Sequence, residues 1–190
     1  KTLSIVQCSN GYPDIYEINK EIKNLNKIIL TENEFIFHAG TKISGDNAPG
    51  IKVGDIFNSR KELYDSGLHM QIQAGIWGWQ DEGACSIVLS GGYEDDVDEV
   101  NYILYTGHGG QEGSKGLQVK DQEFLRGNKA LALSMRRRLP VRVTRGHQIE
   151  HGPKYGYRYD GIYYVENFYE EKGKSSFKIY RYELSTDRSI

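Results

Sequence analysis

Cysteine, proline and long apolar runs are scarce in this chain: two Cys and four Pro among 190 residues. Cys8 and Cys85 cannot build a disulfide framework or a Cys-x-x-Cys zinc site, so a reduced, cytosolic setting is the default expectation. No run approaches the roughly 18 apolar residues that a membrane span needs, so no membrane partner is expected. The opening KTLSIVQCSNGYP has no signal-peptide apolar stretch, cleavage site or initiating Met, which leads us to expect a processed or cut chain. A Gly-x-Ser-x-Gly elbow, a Walker loop and His-Glu-x-x-His are all absent. Nothing pairs a nucleophile with a base. The chain itself is expected to be non-catalytic, with no cofactor and no metal.

What the chain does hold is charge sorted by position. Residues 1–105 carry 8 Lys/Arg against 16 Asp/Glu (net −8), residues 106–158 carry 11 against 4 (net +7), and residues 159–190 carry 5 against 6. A basic block inside a chain of net charge −2 fits a phosphate-contacting face, and equally a merely solvated one.

Residues 90–110, SGGYEDDVDEVNYILYTGHGG, concentrate the chemistry. Gly91 and Gly92 allow a sharp turn and close approach to a ligand. Tyr93 follows that turn, Asp95, Asp96, Asp98 and Glu99 make an acidic loop, and residues 101–106 have strand composition. Two rings, a carboxylate and backbone amides are the parts needed to sandwich a planar heterocycle and bond its edge. They also fit an ordinary half-buried hairpin. Calcium fits poorly, because counting from Asp95 or Asp96 puts Val100 or Asn101 where an EF-hand needs glycine. His147 and His151 lie four apart among Gly146, Gly152 and Pro153, which suits loop or phosphate-contacting residues better than metal ligands.

Along the chain, a strand is expected over residues 2–8. A helix comes next, with Ile15, Ile18, Ile22, Leu25 and Ile29 as its apolar stripe, available for core packing or a homodimer. Further strands are expected at 34–38, 71–77, 84–89, 101–106, 141–144, 161–168 and 177–184, with a turn at 171–174. A short helix capped by Asn58 or Ser59 closes at Gly67, and a second runs from 121 to about 135, ending at three arginines before Pro140. Many short strands with two or three helices indicate an α+β domain with a curled sheet or barrel.

The ordered motifs AGI (74–76), SIVLSGGYEDDVD (86–98), YTGHGG (105–110), DQ (121–122), GNKAL (127–131), PVRVTRG (140–146), GYRYDGIYYV (156–165) and a closing EKGKSSFKIYRYEL carry a resemblance. The chain resembles the SET-and-RING-associated (SRA, or YDG) domain, a reader of modified cytosine in DNA. The resemblance covers about residues 34–184. It divides the chain into an N-terminal extension (1–33), an SRA domain (34–186) and a tail (187–190) leading toward a missing C-terminal domain. It implies a PUA-like curved β-barrel flanked by helices and a cytosine turned out of double-stranded DNA into a pocket. In that pocket, Tyr93 and Tyr105 match the two stacking rings and Asp96 the carboxylate accepting from the exocyclic amine. Ser90 and Gly92 match backbone groups at the base's other edge, the Thr106 carbonyl is a second amine acceptor, and His108 lies beside the 5-substituent. Gln73 sits at the tip of a loop entering the duplex. Arg142, Arg145, His147, Lys154 and Arg158, then Lys115, Lys120 and Lys129, are the candidate phosphate contacts.

Two departures shape the functional reading. The loop at residues 111–120 is shorter than in animal relatives and lacks their Asn-Lys-Arg triplet, and a histidine stands at 108 where a small residue is usual. YTGHGG and VTRGH look like bacterial members joined to an HNH nuclease in modification-dependent restriction enzymes, which predicts such a nuclease beyond Ile190 and a cytoplasmic protein. A chromatin reader without nuclease, nuclear in a eukaryote, is the second reading. A PUA-like hydrolase of small modified nucleosides is the third.

Overall fold

The computed structural model describes residues 50–112 and 117–186. The expected strands at 2–8 and 34–38, the amphipathic helix between them, and Lys115 lie outside the described residues. The described chain runs β1 (Ile56–Phe57), α1 (Arg60–Asp65), β2 (Ile76–Trp79), β3 (Gly83–Leu89), β4 (Val97–Asp98), β5 (Tyr102–Thr106), α2 (Gly127–Arg137), β6 (Pro140–Gly146), β7 (Tyr157–Lys172) and β8 (Lys178–Ser185). All eight strands form one mixed sheet in the order β2-β3-β6-β7-β8-β5-β4, with β1 on β7. Among the described residues only β3 and β6 pair in parallel, and α2 leads into β6 as the crossover that a parallel pair requires. The sheet is α+β in composition but does not close: among the described residues β2 and β4 are its two ends, so the expected barrel is corrected to an open, mixed sheet.

The pattern of burial explains the layers. β3 is buried at all seven positions, as befits a strand between β2 and β6 with α2 packed on it. β7 alternates instead, with Tyr159, Gly161, Tyr163 and Val165 inward. α2 turns Ala130, Leu131, Ala132 and Ser134 toward the sheet, and a Cβ on Gly127 would stand 3.0 Å from Ile76, so the helix start needs glycine to pack this closely. The short helix α1 is capped by Ser59, whose hydroxyl accepts from the Glu62 amide at 3.1 Å, and Gly67 comes after it at φ +75°.

Several expectations shift for physical reasons. The second helix starts at Gly127, not 121, because residues 121–122 join β8: the Lys178 amide donates to Asp121 at 2.8 Å and the Gln122 amide to the Lys178 carbonyl at 2.9 Å. Its end is an αL residue, Arg138, while Pro140 opens the next strand. Residues 71–75 are not strand, since side chains take the carbonyls of 71, 72 and 74. The closing hairpin is longer than expected, with its turn at 173–177.

Arg142 and Arg145 are 1% exposed on the central strand β6, so they are not surface phosphate contacts, and that expectation is corrected. Arg145 reaches Asp98 at 2.7 Å and Asp160 at 3.1 Å, and donates to the Val100 carbonyl at 2.7 Å. Its two carboxylates come from β4 and β7, so one guanidinium joins distant parts of the sheet. Truncating one member of a buried ion network leaves the others uncompensated, at a cost of about 3–5 kcal/mol. Arg145→Met is accordingly expected to lower the urea midpoint substantially with an unchanged m-value, read from equilibrium unfolding.

Candidate functional site

The acidic loop after β3 is tied down carboxylate by carboxylate. Glu94 accepts from the Ser175 hydroxyl, Asp95 from the Lys174 amide at 2.9 Å, and Asp98 from Arg145. The tip of the β7–β8 hairpin therefore holds the loop from outside. Glu99 is exposed, and Asp96 turns elsewhere: it accepts from the Thr106 amide at 2.7 Å at the end of β5. Loss of water raises its pKa to about 6, against the opposing pull of that amide, the Thr106 hydroxyl and Arg181.

Across from it, buried amides shape the turn after β5. Asn128 accepts from the His108 amide at 2.9 Å and donates to the His108 carbonyl at 3.0 Å, while Gln122 donates to the Gly107 carbonyl. A Cβ on Gly107 would meet the Asn128 oxygen at 2.5 Å, so this close approach requires glycine. Tyr93 bridges the two loops, its hydroxyl accepting from the Gly109 amide at 2.9 Å. Burial pushes the Tyr93 phenol up to about 12 and holds that of Tyr105 well above its ordinary value, so both rings stay neutral.

These segments enclose one cavity of about 300 Å³ whose lining includes Ser90, Gly92, Tyr93, Asp96, Tyr105 and His108, with Gln73 among its walls. Thr106 is fully buried behind Asp96 and does not line it; its side chain bonds Arg181. Arg60, Ala74, Gly75, Val88, Gly109 and Gln111 also line the cavity and are not singled out by the sequence. Arg60 and Gln111 carry no signal there, whereas Val88, Gly109, Ala74 and Gly75 lie inside the motifs that carry the resemblance. A Cβ on Gly75 would fall 2.6 Å from the Tyr105 hydroxyl. His108 is half-buried and points its Nε2 at the Leu125 carbonyl, 3.3 Å away; burial lowers its pKa, so it is neutral near pH 7.

The basic candidates scatter. His147 and Lys154 are exposed on the loop after β6, which packs against Gly91 beside the cavity loop. Arg158 is half-buried and engaged by Asp160 at 2.6 Å and the His151 carbonyl at 2.8 Å. Lys120 is exposed and lines a second cavity that shares His108 and Gly109 with the first, and Lys129 is half-buried on α2. Among the described residues, no group of three or more His, Cys, Asp or Glu could hold a metal, and no helix is long and apolar enough to cross a membrane.

A family model described as the SAD/SRA domain matches residues 45–189. The chain belongs to the SAD/SRA domain family. Among its SRA relatives, the E3 ubiquitin-protein ligase UHRF1 of Rattus norvegicus is 42% identical over 161 residues, covering 73% of this chain and 21% of that protein. The solved "Modification dependent TagI restriction endonuclease" superposes with a TM-score of 0.71 at 38% identity, over 75% of this chain and 52% of that one. The SUVH5 SRA bound to fully hydroxymethylated CG DNA superposes at 0.63 and 40% identity, over 73% of this chain and 91% of that one. This chain thus spans about a fifth to a third of the curated relatives it matches.

Stability measurements can probe the SRA cavity in two ways. Because the folded pKa of Asp96 stands above its unfolded value of 3.8, the folded state takes up the proton first. Its charge therefore costs stability above about pH 6, and that cost fades as pH falls toward 4. Asp96→Asn keeps the acceptor for Thr106 without the charge. Melting scans should find it more stable than wild type at pH 7.5, by on the order of 1–2 kcal/mol, with the gap closing by pH 4. Gly75→Ala should force the buried Tyr105 ring from its seat and cost about 1–3 kcal/mol, measurable by the same scans.

Proposed function

We propose that this chain is a DNA-binding module that turns a 5-modified cytosine out of a duplex and holds it between Tyr93 and Tyr105. One observation carries the reading: two neutral phenols and a desolvated carboxylate line the same 300 Å³ cavity, with an exposed loop bearing Gln73 at its rim. A base inside a duplex cannot be inspected all round, so it must be extruded at a cost of a few kcal/mol. Stacking on aromatic faces returns about 1–3 kcal/mol per base.

In this reading Asp96 accepts from the exocyclic amine. Thymine, which offers an acceptor at that edge, meets a carboxylate and is rejected. Ser90 and Gly92 bond the other edge, and His108 stands beside the 5-substituent. His147, Lys154, Lys120 and Lys129 supply phosphate contacts, together with Lys115. The solved SRA complex with hydroxymethylated CG DNA supports this choice of ligand.

The likeness to the TagI endonuclease, of which this chain covers about half, supports a longer protein in which an HNH nuclease acts on DNA that this module selects. The likeness to UHRF1 supports the second reading, a chromatin reader without nuclease. The full reading frame decides between them: a downstream His/Asn nuclease motif favours the first, and histone-binding or ligase segments favour the second. The first places the protein in a bacterial cytoplasm and the second in a nucleus.

Duplexes differing only in C, 5-methyl-C or 5-hydroxymethyl-C at one site, titrated at fixed salt, test the pocket. Wild type should prefer the modified duplexes, and Tyr93→Ala or Asp96→Ala should lose about 1–3 kcal/mol of that binding. Equal binding of all three, untouched by Asp96→Ala, would refute the assignment.

A further inference from the structure

We propose that Arg60 and His69 are positioning residues that hold residues 70–74 as a preformed wedge at the cavity rim, and that binding of modified cytosine in a duplex depends on that preformation. The inference rests on the proposed function, since a wedge matters only if a base leaves the stack.

The segment is unusual for a loop. Residues 70–74 are all exposed, and two of them are large and apolar, Met70 at 41% and Ile72 at 51%. No strand pairs with them among the described residues. A loop of that kind would ordinarily give its carbonyls to water and move freely. Here one guanidinium takes three of them: Arg60 donates from Nε to Ile72 at 2.9 Å, from Nη2 to Gln71 at 2.9 Å, and from Nη2 to Ala74. A guanidinium carries its donors in a rigid plane, so bonding three carbonyls fixes their relative directions. The Arg60 carbon lies 5.7 Å from the centre of the Tyr157 ring on β7, which holds the guanidinium in turn.

His69 grips the same segment from inside the protein. It is wholly buried, with Nε2 2.9 Å from the Ala74 carbonyl and Nδ1 2.7 Å from the Ser86 hydroxyl of β3. A carbonyl can only accept, so Nε2 carries the proton and Nδ1 accepts from Ser86. Burial, reinforced by the nearby Arg60 charge, lowers the His69 pKa to about 3, so this neutral tautomer persists at any working pH. The loop is thereby bonded to the sheet through β3 and through β7. Ordering a loop at the moment of binding subtracts from affinity, and here the ordering is already done.

Arg60 also lines the cavity, so its effect on the wedge must be separated from a direct phosphate contact. The test uses the 190-residue chain and a duplex with one 5-methylcytosine beside 2-aminopurine, whose fluorescence rises when stacking is broken. Arg60→Lys keeps the charge and loses the fork, while His69→Phe keeps the volume and loses both bonds. Both are expected to bind the methylated duplex about tenfold more weakly and to lose most of the fluorescence rise. For His69→Phe, whose position is outside the cavity lining, affinity for unmodified duplex and the salt slope should match wild type. An abasic site opposite the methylcytosine, which removes the need for a wedge, should restore the lost affinity, and His69→Gln should fall between Phe and wild type.

If Arg60→Lys and His69→Phe behave as wild type, the inference is overturned. So is it if Arg60→Lys weakens binding equally on unmodified DNA, or if the salt slope drops by about one, the sign of a lost phosphate contact. Should His69→Phe fail to fold, Arg60→Lys alone decides. A wild-type protein that gives no fluorescence rise would instead sink base extrusion itself.

Discussion

A single amide donating to a single carboxylate, Thr106 to Asp96, is the bond on which the cavity depends. A carboxylate without water is costly, and this one is tolerated because the end of a paired strand offers it a fixed donor. Arg181 steadies the same corner from β8, bonding the Thr106 hydroxyl. Three other carboxylates of the stretch hold the loop that carries Asp96: Glu94 and Asp95 to the β7–β8 hairpin, Asp98 to Arg145. A run that reads as one acidic cluster is thus divided between three tethers, an exposed Glu99 and the carboxylate that lines the cavity. The raised pKa of Asp96 reflects its partial burial at the cavity wall.

Arg145 works at a larger scale. It ties the β4 end of the acidic loop to β7, so the loop is anchored on both sides of Asp96. The turn after β5 is anchored by neutral amides instead. Gln122 takes the Gly107 carbonyl with one end and the Tyr180 amide with the other, at 2.9 Å, and Asn128 takes both backbone groups of His108. Buried amides suit this task because each can donate and accept at once. The two loops then meet at the bond between the Tyr93 hydroxyl and the Gly109 amide.

Local signals are legible in the sequence where the cause is local. The Ser59 cap, the strands around Ile87 and Ile103, and the closing hairpin depend on neighbours a few residues away. The cavity residues Tyr93, Asp96 and Tyr105 are legible through the SRA resemblance, not through spacing alone. Arg142 and Arg145 mislead because a charge count cannot tell an inner strand from an outer one. β6 is buried at successive positions 141–146 and so on both of its faces, and the partners of Arg145 come from segments remote in sequence. The loop at 71–75 misleads for the same kind of reason. Its composition suits a strand, but Arg60 and His69 claim its carbonyls first.

The arrangement also ranks what such a cavity can distinguish. A buried methyl adds about 0.8 kcal/mol, roughly fourfold in affinity, whereas a polar edge left against the wrong partner costs about 1–3 kcal/mol. In the proposed reading, fixed hydrogen-bonding groups surround Asp96, and the 5-substituent faces His108, whose ring is directed to the Leu125 carbonyl. Rigidity is therefore concentrated at the edge that separates cytosine from thymine. Discrimination among substituents falls to the fit around one imidazole, on a wall shared with a second cavity of about 310 Å³. In the proposed reading, base identity is consequently the stringent criterion and the nature of the 5-substituent the permissive one.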